Sequence, residues 1–379
     1  MNDKLTILFV EDNSDSVQPV IRLLQSTPVY QCEVKDFGEE EAAIEASIPD
    51  IVVLDLTTEG RDGERETPGL AIMDRVWEHR FCPVVVYTAY PEVFVEHRDH
   101  PFVEVVQKGA RKEHDVQKAI ENFRPHVEAM RGVEANIRRQ FATAVRDVVP
   151  TAFNVFPEDS DFEKRNDIIT RLGRRRLAAL MDELSRRGEP LASWEQYLTP
   201  PISGDIRLGD ILRRRGGPQG IPNSYFVVLA PSCDLDTSRG QSPKVDRILV
   251  ARCCSFKEGL QSTSRKDIKK PKKIKELIED ILPRGYFENI VPIPALPGHF
   301  PRMVANLRKL GFVPLNRIRG NTNVRFDVVA SVDSPFRELF AWAYMRIACR
   351  PGLPDRDYGK WCEEIQEDFA EVAGGAGTE

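Results

Sequence analysis

Residues Ile7-Leu8-Phe9-Val10 form a run in which every position is apolar and strand-forming, and the run ends abruptly in the adjacent acids Glu11 and Asp12. A strand that is apolar on both faces has no solvent side. It belongs in a parallel sheet covered by helices above and below. Three later runs repeat the device: Ile51-Val52-Val53-Leu54 leads into Asp55, Val84-Val85-Val86-Tyr87 into Thr88, and Val103-Glu104-Val105-Val106-Gln107 into Lys108. Open parallel sheets bind ligands outside the carboxyl ends of their strands, so these five polar residues are directed to one edge.

The intervening stretches have helical spacing. Val17, Val20, Ile21, Leu23 and Leu24 mark a helix from Ser16 to Gln25, and residues 39–46, 69–77 and 113–123 read as three more, with a short one over 91–96. Tyr30 to Phe37 alternates as a strand, and Phe102 to Lys108 is the fifth. The rhythm predicts an α/β domain over residues 1–124, a doubly wound five-stranded parallel sheet.

Carboxylates crowded at one sheet edge repel one another unless a divalent cation intervenes, and Mg²⁺ prefers oxygen ligands of this kind. Asp12 and Asp55 are candidate metal ligands. Lys108 brings a mobile positive charge and Thr88 a hydroxyl, together suited to the oxygens of a phosphoryl group carried on a carboxylate. A lone Asp after a strand is more often a turn or a helix cap; a set of such residues, each closing its own strand, favours a phosphoryl-transfer site.

At Glu11-Asp12, Asp55, Thr88-Ala89 and Lys108, in that order, the first 124 residues resemble the receiver domain of two-component response regulators, a flavodoxin-like fold. The resemblance implies that Asp55 accepts a phosphoryl group from a sensor histidine kinase. It also implies that Glu11, Asp12, Asp55 and the backbone carbonyl of Thr57 hold Mg²⁺, and that Thr88 and Lys108 serve the transfer. The chain departs from the family in several places. Asp55 is followed by Leu56-Thr57-Thr58 and the charged insertion EGRDGERET in place of a short Met-Pro turn, and Gly109 stands where Pro is usual. Val105 replaces the aromatic that usually reports movement of the Thr, so another element must carry the signal. Thr57 and Tyr90 occupy the positions that flank the phosphoryl group.

Beyond residue 124, Val127, Met130, Val133, Ile137, Phe141, Val145 and Val148 form one apolar stripe, expected as a linker helix over 125–150 that packs on a second domain or pairs in a homodimer. This helix is the expected relay. Pro150 and Asn154 to Ser160 should break the chain. Residues 151–379 read as a mixed α+β output domain with a β-rich centre. Strands are expected at 209–212, 225–230, 245–252 and 323–331, helices at 167–187, 274–281, 302–310 and 337–348, and a disordered tail at 374–379. The architecture looks similar to bacterial two-component-like antiphage defence systems.

Length, charge and cysteine usage bound the rest. A chain of 379 residues accommodates two or three domains, and a net charge of −6 argues against a generally basic nucleic-acid protein. Basic clusters at 174–176, 213–215 and 269–275 keep a nucleic-acid-binding output as an alternative, not favoured because acids stand close by and few aromatics are interleaved. Seven scattered cysteines and no N-terminal apolar signal point to free thiols in a reducing cytoplasm. No apolar run approaches the roughly 20 residues that span a bilayer. Cys233, in Pro231-Ser232-Cys233-Asp234, is readable as an enzymatic nucleophile or as a zinc ligand with Cys253, Cys254 and His299. The favoured reading is a small buried thiol with Asp234 capping a turn.

Overall fold

The computed structural model describes residues 4–40, 48–59, 65–79, 81–95, 97–158, 161–186, 190–201, 206–237, 242–264, 271–319, 323–349 and 358–374. The chain divides into two compact units, Met1–Gly188 and Glu189–Glu379.

The first unit is built on β1 (Leu5–Val10), β2 (Tyr30–Lys35), β3 (Ile51–Leu54), β6 (Val84–Thr88) and β7 (Val103–Gln107), paired in the order β2-β1-β3-β6-β7 with every pair parallel. The run that is apolar on both faces has the environment it needs. Ile7 and Phe9 pack into one core with Val20 and Leu24 of α1 (Ser14–Gln25) and Ile120 and Phe123 of a long helix described below. Leu8 and Val10 pack into the other, with Ile72, Met73 and Val76 of α2 (Pro68–His79). The charged insertion after Asp55 is bracketed by a two-stranded antiparallel ribbon, β4 (Thr58–Glu59) and β5 (Arg65–Glu66). A single 3₁₀ turn at Pro91–Val93 stands where a short helix was expected. The helix expected over 39–46 falls on 41–47, outside the described residues.

The largest difference from expectation lies after β7. The closing helix and the linker helix are one element, α3 (Glu113–Val155), 43 residues long with Pro125 and Pro150 in its interior. Each proline removes a helical hydrogen bond at a cost of about 3 kcal/mol. Packing outweighs it: Val116, Ala119, Ile120, Phe123 and Val127 are buried at one end of the helix, and Ala144, Val148 and Ala152 at the other. The expected boundaries at 124/125 and 150/151 therefore fall inside a continuous helix. α4 (Phe162–Arg186) folds back along it. Arg165 lies 4.7 Å from the Phe153 ring, Arg176 lies 3.4 Å from Asp147, and Gly173 sits beside Val145, so the two run antiparallel within the first unit. The first unit accordingly includes both helices and runs to Gly188.

The second unit is a seven-stranded sheet, ordered β12-β13-β11-β10-β9-β14-β8. Its strands are β8 (Tyr197–Leu198), β9 (Asp210–Arg214), β10 (Tyr225–Val228), β11 (Arg247–Cys254), β12 (Ile290–Ile293), β13 (Met303–Pro314) and β14 (Phe326–Val332), all antiparallel neighbours. The helices of this unit are α5 (Ser232–Leu235), α6 (Phe256–Gln261), α7 (Pro271–Arg284), α8 (Phe336–Ala348) and α9 (Tyr358–Gly374). The helix expected over 302–310 is strand β13. Val304 and Leu307 have helical spacing, but pairing with both β11 and β12 overrides it, and Met303 and Ala305 pack into one core while Val304 packs into another. Lys269, Lys270 and the tail beyond Gly374 lie outside the described residues. Among the described residues no helix is long and apolar enough to cross a membrane.

Candidate functional site at the carboxyl edge of the parallel sheet

Strand register builds the site. Val10 pairs with Leu54, so the residues that follow them, Glu11 and Asp55, emerge side by side, with the Asp55 N–H donating to Val10 O at 3.0 Å. Thr88 closes β6 next to Gln107, and the Lys108 N–H donates to Thr88 O at 2.8 Å. Glu11 and Asp55 are buried, at 3% and 6% exposure, whereas Asp12 is exposed.

The Lys108 Nζ lies 2.6 Å from Glu11 Oε2 and 2.6 Å from Asp55 Oδ2. One ammonium therefore serves two buried carboxylates. Desolvation pushes the Glu11 carboxyl above its ordinary value, more strongly than Lys108 holds it down. Burial works against the Lys108 ammonium as well, but its hydrogen bonds to Asp55 and Glu11 outweigh that and raise its pKa. The other Asp55 oxygen, Oδ1, accepts from the N–H of Leu56 at 2.7 Å and of Thr57 at 3.4 Å, which fixes the carboxylate plane. Thr88 is fully buried, and its Oγ1 accepts from the Tyr90 N–H at 3.4 Å. Val105 is partly buried against the core beneath α2.

Glu11, Asp12 and Asp55 form the one group of three or more metal-ligating side chains found among the described residues, with ligand atoms within 4.8 Å of one another. Three carboxylates offering only hard oxygen donors fit a cation such as Mg²⁺. Thr57 lies in sequence between Asp55 and the ribbon, and its N–H donates to Asp55 Oδ1.

Three contributors were not evident in the sequence. Thr58 Oγ1 donates to Asp12 Oδ2 at 2.5 Å, tying the ribbon to the exposed acid. Gly69 opens α2 directly against the acceptor: a Cβ there would stand 2.3 Å from Asp55 O and 2.6 Å from Leu56 Cα. The Pro68-Gly69 pair was visible, but only the fold reveals what it abuts. Arg131, in the middle of α3, pairs with the buried Asp50 just before β3 through Nε at 2.7 Å and through NH2, which also donates to Lys4 O at 2.9 Å. This clamp holds α3 to the amino edge of the sheet.

The other candidates are not brought together. Cys233 is exposed rather than buried, and its Sγ lies 3.8 Å from Asp234 Oδ1, a negative group and not the positive neighbour that favours a thiolate. Asp234 in turn pairs with Lys244 at 3.6 Å. Cys253 and Cys254 are buried in separate cores, burial raises both thiols, and no zinc-type cluster with His299 exists among the described residues. Of the basic clusters, Arg176 pairs with Asp147, Arg215 with Asp327 at 2.7 Å and Lys275 with Glu279 at 3.6 Å.

A parallel sheet of order 2-1-3-4-5 with three acids and a lysine at its carboxyl edge has the layout of a receiver domain. No protein-family model matches the chain, and no curated protein matches it. Solved structures do match its N-terminal part. One is the N-terminal domain of a response regulator/sensory box/GGDEF 3-domain protein from Carboxydothermus hydrogenoformans, 24% identical over 35% of this chain and 98% of that one, with a TM-score of 0.25. Another is the receiver domain of the PhyR response regulator from Erythrobacter litoralis, 20% identical over 31% of this chain and 90% of that one, also at 0.25. A third is a two-component transcriptional regulator AraC from Clostridium phytofermentans, 15% identical over 32% and 97%, at 0.25. All three likenesses fall on about the N-terminal third of the chain. The chemistry of the site rests on its own geometry.

Proposed function

We propose that the first unit is a phosphoacceptor whose nucleophile is Asp55 and whose donor is a partner histidine kinase in the cytoplasm. The observation that carries the reading is Lys108 Nζ at 2.6 Å from both Glu11 and Asp55, with Asp12 beside them. An Asp55 oxygen forms the bond to phosphorus as the phosphorus–nitrogen bond of the donor phosphohistidine breaks, and the imidazole leaves with that electron pair. Glu11, Asp12, Asp55 and the Thr57 carbonyl would hold Mg²⁺, which when bound supplies positive charge against the phosphoryl oxygens. Lys108 exchanges its contact with Asp55 for a phosphoryl oxygen, and the Thr88 hydroxyl holds another. Such transfer is mainly positioning and electrostatics, which is what this cluster provides.

The signal leaves through α3. The helix begins five residues after Lys108, is clamped to Asp50 by Arg131, and continues into the hairpin with α4, so one rigid element connects the site to the end of the unit. Val133, Ile137 and Phe141 are exposed on one stripe of α3, at 58%, 40% and 51%, which favours its use in a homodimer. A nucleic-acid-binding output is the weaker reading because several of its arginines and lysines are already paired. The likeness to antiphage systems is one of architecture alone. Incubation with acetyl phosphate and Mg²⁺, followed by intact mass measurement, tests the proposal: wild type gains one phosphoryl group and Asp55→Ala gains none. Equal behaviour of the two refutes it.

A further inference from the structure

The second unit contains a cavity of about 530 Å³ where α7 ends, the turn into β12 begins, and β13 and α8 pass. Three arginines line it: Arg284 at the end of α7, Arg308 on β13 and Arg346 in the last turn of α8. Glu288 is the one acid in the lining, and its carboxylate is already engaged by the Ser264 N–H at 2.8 Å and the Ser264 hydroxyl.

The arginines are set to receive an anion. Arg346 donates to the Tyr286 hydroxyl, and its guanidinium lies over the rings of Tyr286 and Trp342 at 5.2 and 5.1 Å, so its planar fork is oriented in advance. Arg284 is braced by Asp280 at 2.7 Å. Arg308 has no ion-pair or hydrogen-bond partner for its guanidinium among the described residues. Positive charge in the cavity therefore exceeds negative, and guanidinium groups match the geometry of phosphate oxygens.

A second observation narrows the ligand. Asn289, also in the lining, is 1% exposed. Its Nδ2 donates to Asn306 Oδ1 at 3.1 Å and to Ser262 Oγ at 2.9 Å, while its Oδ1 is buried without any hydrogen-bond partner. The bond to Asn306 Oδ1 fixes the amide orientation, because the flipped amide would set two oxygens against each other. A buried acceptor without a donor is costly. A fully deprotonated anion such as sulfate would answer the arginines and leave this oxygen unanswered; a ligand carrying a phosphate and a separate N–H or O–H answers both. The volume lies in the range of small-molecule sites and exceeds the needs of a phosphate ion.

We propose that this cavity binds a nucleoside monophosphate, its phosphate on Arg308 with Arg284 and Arg346, and a sugar hydroxyl or base amine donating to Asn289 Oδ1. The inference is independent of phosphorylation at Asp55. The test is isothermal titration of the full chain with AMP, GMP, CMP and UMP, and with adenosine, sodium phosphate and a short oligonucleotide as comparators. At least one monophosphate should bind more tightly than both phosphate and adenosine. Arg308→Ala should weaken it roughly ten- to a hundredfold, with Arg308→Lys between the two. Arg308 is exposed on its strand, so the variants should fold, and unchanged circular dichroism confirms it. Asp55→Ala should bind as wild type does. The proposal is overturned if no monophosphate binds, if Arg308→Ala binds normally, if phosphate binds as tightly as the nucleotides, or if the oligonucleotide binds more tightly than any of them.

Discussion

Lys108→Met removes the one ammonium shared by two buried carboxylates and retains most of the apolar stem. Glu11 and Asp55 side chains are 2% and 7% exposed, and Lys108 is 19% exposed, so water replaces little of what is lost. Removing one partner of a buried ion pair costs about 3–5 kcal/mol, and the partial exposure of Lys108 places this case near 3 kcal/mol. For a unit of this size each kcal/mol lowers the melting temperature by about 2–4 °C, giving a fall of roughly 6–12 °C. The assay is thermal unfolding of the first unit's transition at neutral pH in EDTA, with and without replacement of EDTA by Mg²⁺. Mg²⁺ should recover part of the loss, because a cation held by the same carboxylates relieves the same repulsion. An unchanged melting temperature in EDTA would show that Lys108 does not hold the acids together, and the electrostatic account of the site would fail.

Glu11 has its carboxyl pKa raised, chiefly by burial, so the folded state binds its proton more tightly than the unfolded chain does. Its contribution is favourable below the ordinary glutamate range and is lost as pH rises through the raised value; the stability of Glu11→Gln relative to wild type should therefore increase from about pH 4 to 7 in paired melting curves. The opposite trend would contradict burial as the dominant cause. Gly69→Ala forces a Cβ against the Asp55 carbonyl and should cost roughly 1–3 kcal/mol by denaturant titration, with phosphoacceptance slowed as the acceptor loop shifts; a neutral result would mean that α2 can retreat freely. Beryllofluoride should alter hydrogen exchange along α3 as well as around Thr88 and Lys108, and Arg131→Ala should uncouple the part of the helix beyond residue 131. Changes confined to the sheet edge would assign the relay to another element.

The acidic edge was legible because each strand carries its own evidence: an apolar run of the right length, then a polar residue. Register alone converts that pattern into proximity, since parallel pairing of Val10 with Leu54 leaves Glu11 and Asp55 no other place to go. The length of α3 was not legible, because Pro125 and Pro150 are local signals to stop, and what overrides them is burial against α1, remote in sequence, and against α4, which folds back along it. β13 misled for a related reason. The local spacing of Val304 and Leu307 suits a helix, and the decisive facts are the two neighbouring strands that need a partner. The Arg131–Asp50 clamp joins residues 81 apart and leaves no periodic trace at all.

The most direct measurement locates the phosphoryl group. After reaction with acetyl phosphate and Mg²⁺, borohydride reduces an aspartyl phosphate to homoserine, and peptide mass spectrometry then reads the position. The account predicts homoserine at Asp55 alone, with the conversion abolished in EDTA and strongly reduced in Lys108→Met. Reduction at another carboxylate, or none at Asp55 in the presence of Mg²⁺, would contradict it.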